Sequence, residues 1–359
     1  VAGKGLRFQA ELLPLRRLTT RTNRVAVEKL EHGNQMKIFI RQNDQTLGPF
    51  SQAELMEKIY SGEVFRTSLA CAEGSQEWMP LSALLEKGRA SESAKAVPPV
   101  AIDLELLRDP KEKTALMWLY IAAVPVLLLL LVWTVFTFGG VLVFIGLFLL
   151  FRMFGEAWFM AYLKTNAVRV SPTQLPEIHR IVVTACDHLK MSPPEVYVMQ
   201  ANVWNSYAAK IFGQRIVVLL SGAVDSILLK GDQQQLAWLV GHELGHHWAG
   251  HLEWKQKIAH LGNWLVWVAL WRSRRGEFTC DRVGLYCAGS LWASRFALMN
   301  ATVGAHLGGK VNMDEAVSQW QQHRGEFFVK YRTLYSTHPH LLARLENLNC
   351  AAAEFGMSR

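Results

Sequence analysis

Two histidines four residues apart, His242 and His246, frame the run His242-Glu243-Leu244-Gly245-His246. On an α-helix, residues i and i+4 share a face, so both imidazoles can serve one divalent ion. Glu243 projects beside the first imidazole and can reach a metal-bound water without itself ligating. Two neutral imidazoles plus a carboxylate suit Zn2+, one per chain, with one position open for water. The chemistry this predicts is hydrolysis: zinc lowers the pKa of its water towards ~7, and Glu243 takes the proton. All of this requires the run to be helical. Asp232 offers an N-cap, and Leu236, Trp238, Leu239 and Val240 give the helix an apolar body.

A third ligand must come from elsewhere. A downstream histidine of the extended H-E-x-x-H-x-x-G-x-x-H type would need glycine at position 249 and histidine at 252, but the chain has Ala249 and Leu252. His251 follows His246 by five residues, which places it about 140° round a continuing helix, facing elsewhere. His247 and His251 form a second i,i+4 pair, but Trp248 stands where a base would be needed, so both are read as surface or supporting residues. Glu277 and Asp281 in Ser273-Arg274-Arg275-Gly276-Glu277-Phe278-Thr279-Cys280-Asp281-Arg282 are the better candidates. They are one helical turn apart; one carboxylate can bind zinc while the other accepts the spare ring N–H of a ligand histidine. Spacing alone leaves open which does which.

The 359 residues are 50% hydrophobic and 19% charged, which excludes a disordered chain. Five cysteines, odd in number, widely spaced and without a C-x-x-C pair, exclude a disulfide scaffold and read as reduced thiols facing a cytosol. Net charge is +8, but no recognised nucleic-acid motif appears, so no nucleic-acid partner is expected. Thr114–Phe151 contains no charged residue. As one helix this run would measure about 57 Å at ~1.5 Å per residue, nearly twice a ~30 Å hydrocarbon core. A hairpin over 114–154 fits better, with spans of about 115–136 and from 141 into the low 150s, broken near Phe138-Gly139-Gly140. A partly embedded second helix is the alternative. Lys95, Arg108, Lys111 and Lys113 precede the block, Arg152, Lys164 and Arg169 follow it, and the tip carries no basic residue. This bias puts both ends in the cytoplasm and makes a lipid bilayer the expected partner.

Residues 1–35 are basic and irregular, without the apolar core of a signal peptide. Met36 opens the first patterned segment, and the expectation is that natural translation starts there; a disordered basic tail is the other reading. Residues 36–88 read as a small α+β module. Lys37-Ile38-Phe39-Ile40-Arg41 is a strand, Gln42–Gln45 a turn, Ser51 with Glu54 a capping box, and Trp78-Met79-Pro80-Leu81 the closing segment. Residues 89–113, with Pro98-Pro99 and Asp109-Pro110, read as an extended, solvated linker.

Over roughly 150–347 the chain resembles the M48 family of membrane-associated zinc metallopeptidases, which includes the HtpX and CAAX-prenyl protease branches. The likeness rests on Gly-His-Glu-Leu-Gly-His at 241–246, Ser-Arg-x-x-Glu-x-x-x-Asp at 273–281, and Thr337-His338-Pro339-His340 with Arg344. Asn205-Ser206-Tyr207-Ala208, followed by Gln214–Val218, resembles the family's strand region beside the cleft. The resemblance implies a mainly helical, zincin-like α+β domain over 155–359. It implies His242, His246 and Glu277 as ligands, Glu243 as base and Asp281 behind the ligands. His338 and Arg344 would help to hold an oxyanion or the site; His338 could equally be a structural turn residue before Pro339. Polypeptide substrates would lie along an edge strand built from about 202–220, including Asn205, Ser206 and Tyr207. The implied setting is a bacterial inner membrane, with both domains cytoplasmic and damaged or unassembled membrane proteins as substrates. The CAAX-processing branch has many spans where this chain has at most a hairpin, which argues against prenyl-protein processing. Gly48-Pro49-Phe50-Ser51, Glu54-Leu55, Gly62 and Trp78-x-Pro-Leu resemble the GYF-like adaptor domains, which implies a protein partner. Phe39 and Ile40 stand where those domains place a richer aromatic cluster. The rival reading is a membrane-tethered adaptor that works through this module, with a latent peptidase domain.

Overall fold

The computed structural model describes residues 37–42, 45–50, 54, 55, 58, 63–65, 67–81, 84, 102–201, 205–228 and 232–357. The expected basic tail, the Ser51 cap, Gly62 of the GYF-like motif and residues 89–101 of the linker lie outside these. Strands β1 (Ile38–Gln42), β2 (Gln45–Phe50), β3 (Leu69–Ala72) and β4 (Met79–Pro80) form an antiparallel N-terminal sheet in the order β2-β1-β3-β4. Alternation drives it: Ile38 and Ile40 point to one side and are buried with Leu55, Val64 and Leu81.

The segment just before the membrane block is not the solvated linker that composition suggests. Asp103 caps a short 3-10 turn, Leu104–Leu107, by accepting from Glu105 N at 3.0 Å. Leu107 is buried, Arg282 donates to Leu106 O, and Arg108 donates to Ala249 O at 3.2 Å. These bonds fasten residues 102–113 to the C-terminal half. Asp109-Pro110 is not a break but a helix start. The Asp109 side chain accepts from Lys111 N at 2.9 Å, and Pro110 fills the first turn, where its missing N–H costs nothing.

Helix α1 (Pro110–Phe136) and helix α2 (Gly140–Asn166) are each long and apolar enough to cross a membrane, by length and composition. Between them Phe138 and Gly139 take positive φ, 48° and 84°. The halves of α1 differ. Ala115, Leu119, Ala122 and Ala123 are buried, whereas Leu128, Leu131, Val132 and Phe136 are exposed. Helix α2 runs straight through the boundary expected at 154/155. Arg152 and Glu156 pair along its surface at 2.7 Å, so charge does not end the helix there.

Strands β5 (Val168–Arg169), β6 (Glu195–Met199), β7 (Ser206–Ile211) and β8 (Gln214–Leu220) make a second sheet in the order β5-β6-β8-β7. Strand β6 runs parallel to β8, and β7 lies antiparallel to β8 at the edge. Period-two alternation in β8 serves two cores: Val217 and Leu219 join the main one, Ile216 and Val218 a smaller one under α2. The helices are α3 (Pro176–His188), α4 (Ser221–Leu228), α5 (Gln233–Trp248), α6 (Trp254–Ala259), α7 (Val266–Ala288), α8 (Leu291–Val303), α9 (Ala305–Gly308), α10 (Met313–His323), α11 (Phe327–Tyr335) and α12 (Leu341–Glu354). Leu236, Leu239 and Leu244 of α5 and Val283 and Leu285 of α7 lie at the centre of the main core.

Candidate active site

Helix α5 begins at Asp232, whose side chain accepts from Gln235 N at 3.0 Å. It carries Gly241 and Gly245 on the face that meets α7. A Cβ at Gly241 would lie 2.7 Å from Cys287 Cβ, and one at Gly245 would lie 2.9 Å from Cys280 Cα. Only hydrogen at these two positions lets the backbones approach so closely. That approach brings the carboxylates of α7 up to the histidines of α5.

Glu277 and both histidines converge. Glu277 Oε2 lies 3.6 Å from His242 Nε2, and Glu277 Oε1 lies 3.8 Å from His246 Nε2. These distances are too long for hydrogen bonds. They are close to the ~3.3–3.5 Å that separates donor atoms sharing a tetrahedral ion at ~2.0–2.2 Å. Each imidazole also has its other nitrogen engaged. His242 Nδ1 meets Asp281 Oδ1 at 3.1 Å, and His246 Nδ1 meets His251 Nδ1 at 3.0 Å. With both Nδ1 atoms as donors, both Nε2 atoms are left as acceptors facing Glu277. This donor set fits zinc.

The surroundings fix the charges. Burial disfavours a charged His242, but Asp281 and Glu277 outweigh it and hold the imidazole well above its ordinary range. A divalent cation suits the same field. Burial and the neighbouring His242 push His246 down, which keeps it neutral. Glu277 is lowered despite its burial, by His242 and Arg344. Asp281 is fully buried and also lowered, because Arg344 grips both its oxygens, Nη2 to Oδ1 at 2.6 Å and Nε to Oδ2 at 2.8 Å. Arg344 on α12 thus holds Asp281, which holds His242. Burial pushes Glu243 up, against His242 and a 2.6 Å bond from Ser206 Oγ to its Oε1.

His338 lies at the rim, with its side chain 67% exposed and Nε2 3.9 Å from Glu277 Oε1. On the edge strand, Ser206 turns its hydroxyl to Glu243, while Tyr207 faces the other way, towards Phe159 of α2 at 6.4 Å. Asn205 is exposed and accepts from Ser206 N at 2.9 Å.

Of the two roles expected for His247 and His251, surface or supporting, the structure gives both the supporting one, with His251 turned differently from a continuing helix. His251 does not face away. Helix α5 ends at Trp248, and Gly250 at φ 77° turns the chain back, so His251 lies under His246. Its Nε2 then meets Glu112 Oε1 at 2.8 Å, and Glu112 Oε2 accepts from Thr279 Oγ1 at 2.6 Å. A carboxylate in the first turn of α1 therefore stands behind the second histidine, as Asp281 stands behind the first. Nothing local in the sequence marks Glu112; His251 was visible only as a histidine five residues past the motif. His247 is not a surface residue. It is buried, and its Nε2 meets Ile216 O at 3.0 Å, tying α5 to β8.

Residues 172–352 match the model of peptidase family M48. The chain belongs to this family. M48 peptidases are zinc-dependent, and the convergent histidines accord with a metal site. Residues 39–86 match the GYF domain 2 model. The chain is 29% identical over 138 residues to the plastoglobule-localized metallopeptidase 48, chloroplastic, of Arabidopsis thaliana, covering 34% of this chain and 39% of that protein. The likeness thus spans about two fifths of that relative's length. Within the M48 region a second ligand set is conceivable, since His242, His246 and Cys280 offer atoms within 4.8 Å of one another. Cys280 is the poorer ligand. Its sulfur lies 3.8 Å from His251 Nδ1, on the supporting side of His246.

Proposed function

We propose that the chain is a membrane-anchored zinc endopeptidase, with His242, His246 and Glu277 as ligands and Glu243 as general acid–base. One observation carries the reading: the two oxygens of Glu277 face the Nε2 atoms of His242 and His246 at 3.6 and 3.8 Å, with the buried Glu243 adjacent. Bound zinc supplies Lewis acidity to a scissile carbonyl and a nucleophilic water at neutral pH. Glu243 takes the proton of the attacking water on the oxygen not bonded to Ser206, and later returns it to the departing amine. Its raised pKa suits both transfers. Ser206 fixes the carboxylate. Arg344 is committed to Asp281 and positions the site, whereas exposed His338, its Nδ1 bonded to Thr337 Oγ1 at 2.9 Å, presents Nε2 on the cleft side for a developing oxyanion. An extended polypeptide would add to the edge strand β7 beside Asn205, Ser206 and Tyr207.

In this proposal α1 and α2 form a membrane hairpin, 36–88 is a GYF-like adaptor for a protein partner, and the peptidase domain begins after Asn166. The Lys/Arg bias supports both domains on the cytoplasmic side, and the membrane we propose is a bacterial inner membrane. A site held against that membrane fits a role in membrane protein quality control. The test pairs Glu243→Gln with metal analysis. Casein cleavage should fall ~10²–10⁴-fold, with zinc content and unfolding midpoint unchanged. Undiminished cleavage by the variant, or a metal-replete wild-type protein without zinc, would refute the assignment.

A further inference from the structure

Helix α11 is amphipathic the wrong way round for a helix in water. Phe327, Phe328, Tyr331, Leu334 and Tyr335 follow the i, i+1, i+4, i+7, i+8 pattern of one face. All five are exposed, Phe327 by 72% and Phe328 by 79%. Val329 and Thr333 face inward and are only half-buried, and Thr333 Oγ1 meets His340 Nε2 at 2.9 Å. No residue of α11 is buried. A contiguous apolar face of this kind marks a contact with something else apolar.

The neighbours of α11 indicate what that is. Tyr335 meets Trp267 edge-on, with ring centroids 6.5 Å apart, and Trp267 is itself exposed. Three residues earlier, Trp264 donates its indole N–H to Ala122 O of α1 at 2.9 Å. Aromatic residues therefore lead from α11 through Trp267 and Trp264 to α1. Counting back from Phe136, a ~30 Å hydrocarbon layer at ~1.5 Å per residue takes about 20 residues, so its inner edge falls near Leu116 and Ala122 lies about 9 Å inside that edge. Tryptophan and tyrosine gather near the edges of that layer, and interfacial helices bury their apolar faces about 5–10 Å into it. Exposed Lys330 and Arg332 lie beside the aromatic face, where cations meet anionic headgroups.

We propose that the aromatic face of α11, with Trp264 and Trp267, is a second membrane contact, seated at the headgroup–acyl boundary of the leaflet the hairpin enters. The proposal rests on reading α1 and α2 as the membrane anchor. A second copy of the chain would also cover an apolar face, but continuity with α1 and the flanking cations favour lipid. The contact bears on the site. Arg274, one turn before Glu277, donates to Ser336 O at 2.5 Å, and His338 follows two residues later. Lipid held against α11 thus steadies the loop at the rim and turns the cleft towards chain segments that emerge from the bilayer.

The test uses the full chain in vesicles of phosphatidylethanolamine and phosphatidylglycerol. Nitroxide labels are placed singly by Tyr331→Cys or Leu129→Cys, each in a Cys350→Ser background. Relaxation by oxygen is compared with relaxation by a water-soluble nickel chelate. Both labels should favour oxygen, with the one at 331 shallower than the one at 129. A label at 331 that meets the chelate freely, while 129 favours oxygen, overturns the proposal and leaves the hairpin standing. Chelate access at 129 as well brings down the hairpin reading and this proposal with it. Spin–spin broadening at 331 that vanishes on dilution with unlabelled protein assigns the face to a second copy and also overturns it.

Discussion

Helices α7 and α11 both break the rule that apolar residues go inside, and they break it in opposite senses. Helix α7 buries Arg274, Glu277, Asp281 and Arg282, whereas α11 buries nothing and presents its aromatics outward. Burying charge is costly unless each group finds partners. On α7 each does: Glu277 faces His242 and Arg344 as charge partners at 3.6 and 3.9 Å, Asp281 takes Arg344 and His242, Arg282 takes Leu106 O and Glu354, and Arg274 takes Ser336 O. On α11 the described residues supply no cover for the aromatic face. One inversion is closed within the fold; the other is closed, in our proposal, by lipid. Departures from local patterning of this kind tend to mark function.

The comparison is broken most severely at Arg344. Truncating one partner of a buried ion pair leaves a lone charge, so Arg344→Ala should cost ~3–5 kcal/mol of unfolding free energy. Denaturant titration of the detergent-solubilised protein measures it. Replacing both partners, Arg344→Leu with Asp281→Leu, should recover part of that loss, because apolar pairs of similar volume often substitute well. A cost below about 1 kcal/mol for Arg344→Ala would mean the pair is solvated, as exposed pairs are, and that α7 is less inverted than it looks.

Glu112 tests how far the closure of α7 reaches. Its carboxylate accepts from Thr279 on α7 and meets His251, which lies against His246. Loss of a carboxylate behind a ligand histidine typically weakens metal binding by about 10–100-fold. Glu112→Gln should therefore loosen zinc by that order in competition with a chelator, and Asp281→Asn should do the same from the other side. Unchanged zinc affinity in Glu112→Gln would show that His251 only fills space.

What the sequence disclosed follows the same division. His242, Glu243 and His246 were legible because their spacing is the helical period, and Asp232 announced the start of the helix. The carboxylates were legible as a pair, and resemblance chose Glu277 as the ligand. The two glycines of the motif gave no signal of their own; their use appears only where Cys280 and Cys287 close upon them. A continuing helix would turn His251 away, but the helix has already ended before Gly250. Asp109-Pro110 reads as linker punctuation by composition, although aspartate before proline is also the signature of a capped first turn. Glu112 lies 139 residues from the histidine it meets, a separation no local pattern can bridge. The aromatic periodicity of α11 was present in the chain, but periodicity names a face without naming what covers it.

The smallest expected effect is the most discriminating one. Phe327 is 72% exposed, and its ring neighbours are Phe328 and Tyr331 of its own helix. Replacing it should cost no more than a surface aromatic contact, ~0.5–1.5 kcal/mol. Truncation of a core aromatic such as Phe296, which is 2% exposed, should cost ~3–5 kcal/mol. Denaturant titration of Phe327→Ala and Phe296→Ala in the same detergent gives the ratio directly. If Phe327→Ala approaches the core value, something in the folded protein already covers α11, and the outward inversion disappears. If it stays small, the aromatic face owes its presence to a contact the isolated fold does not make, and the difference between the two helices stands.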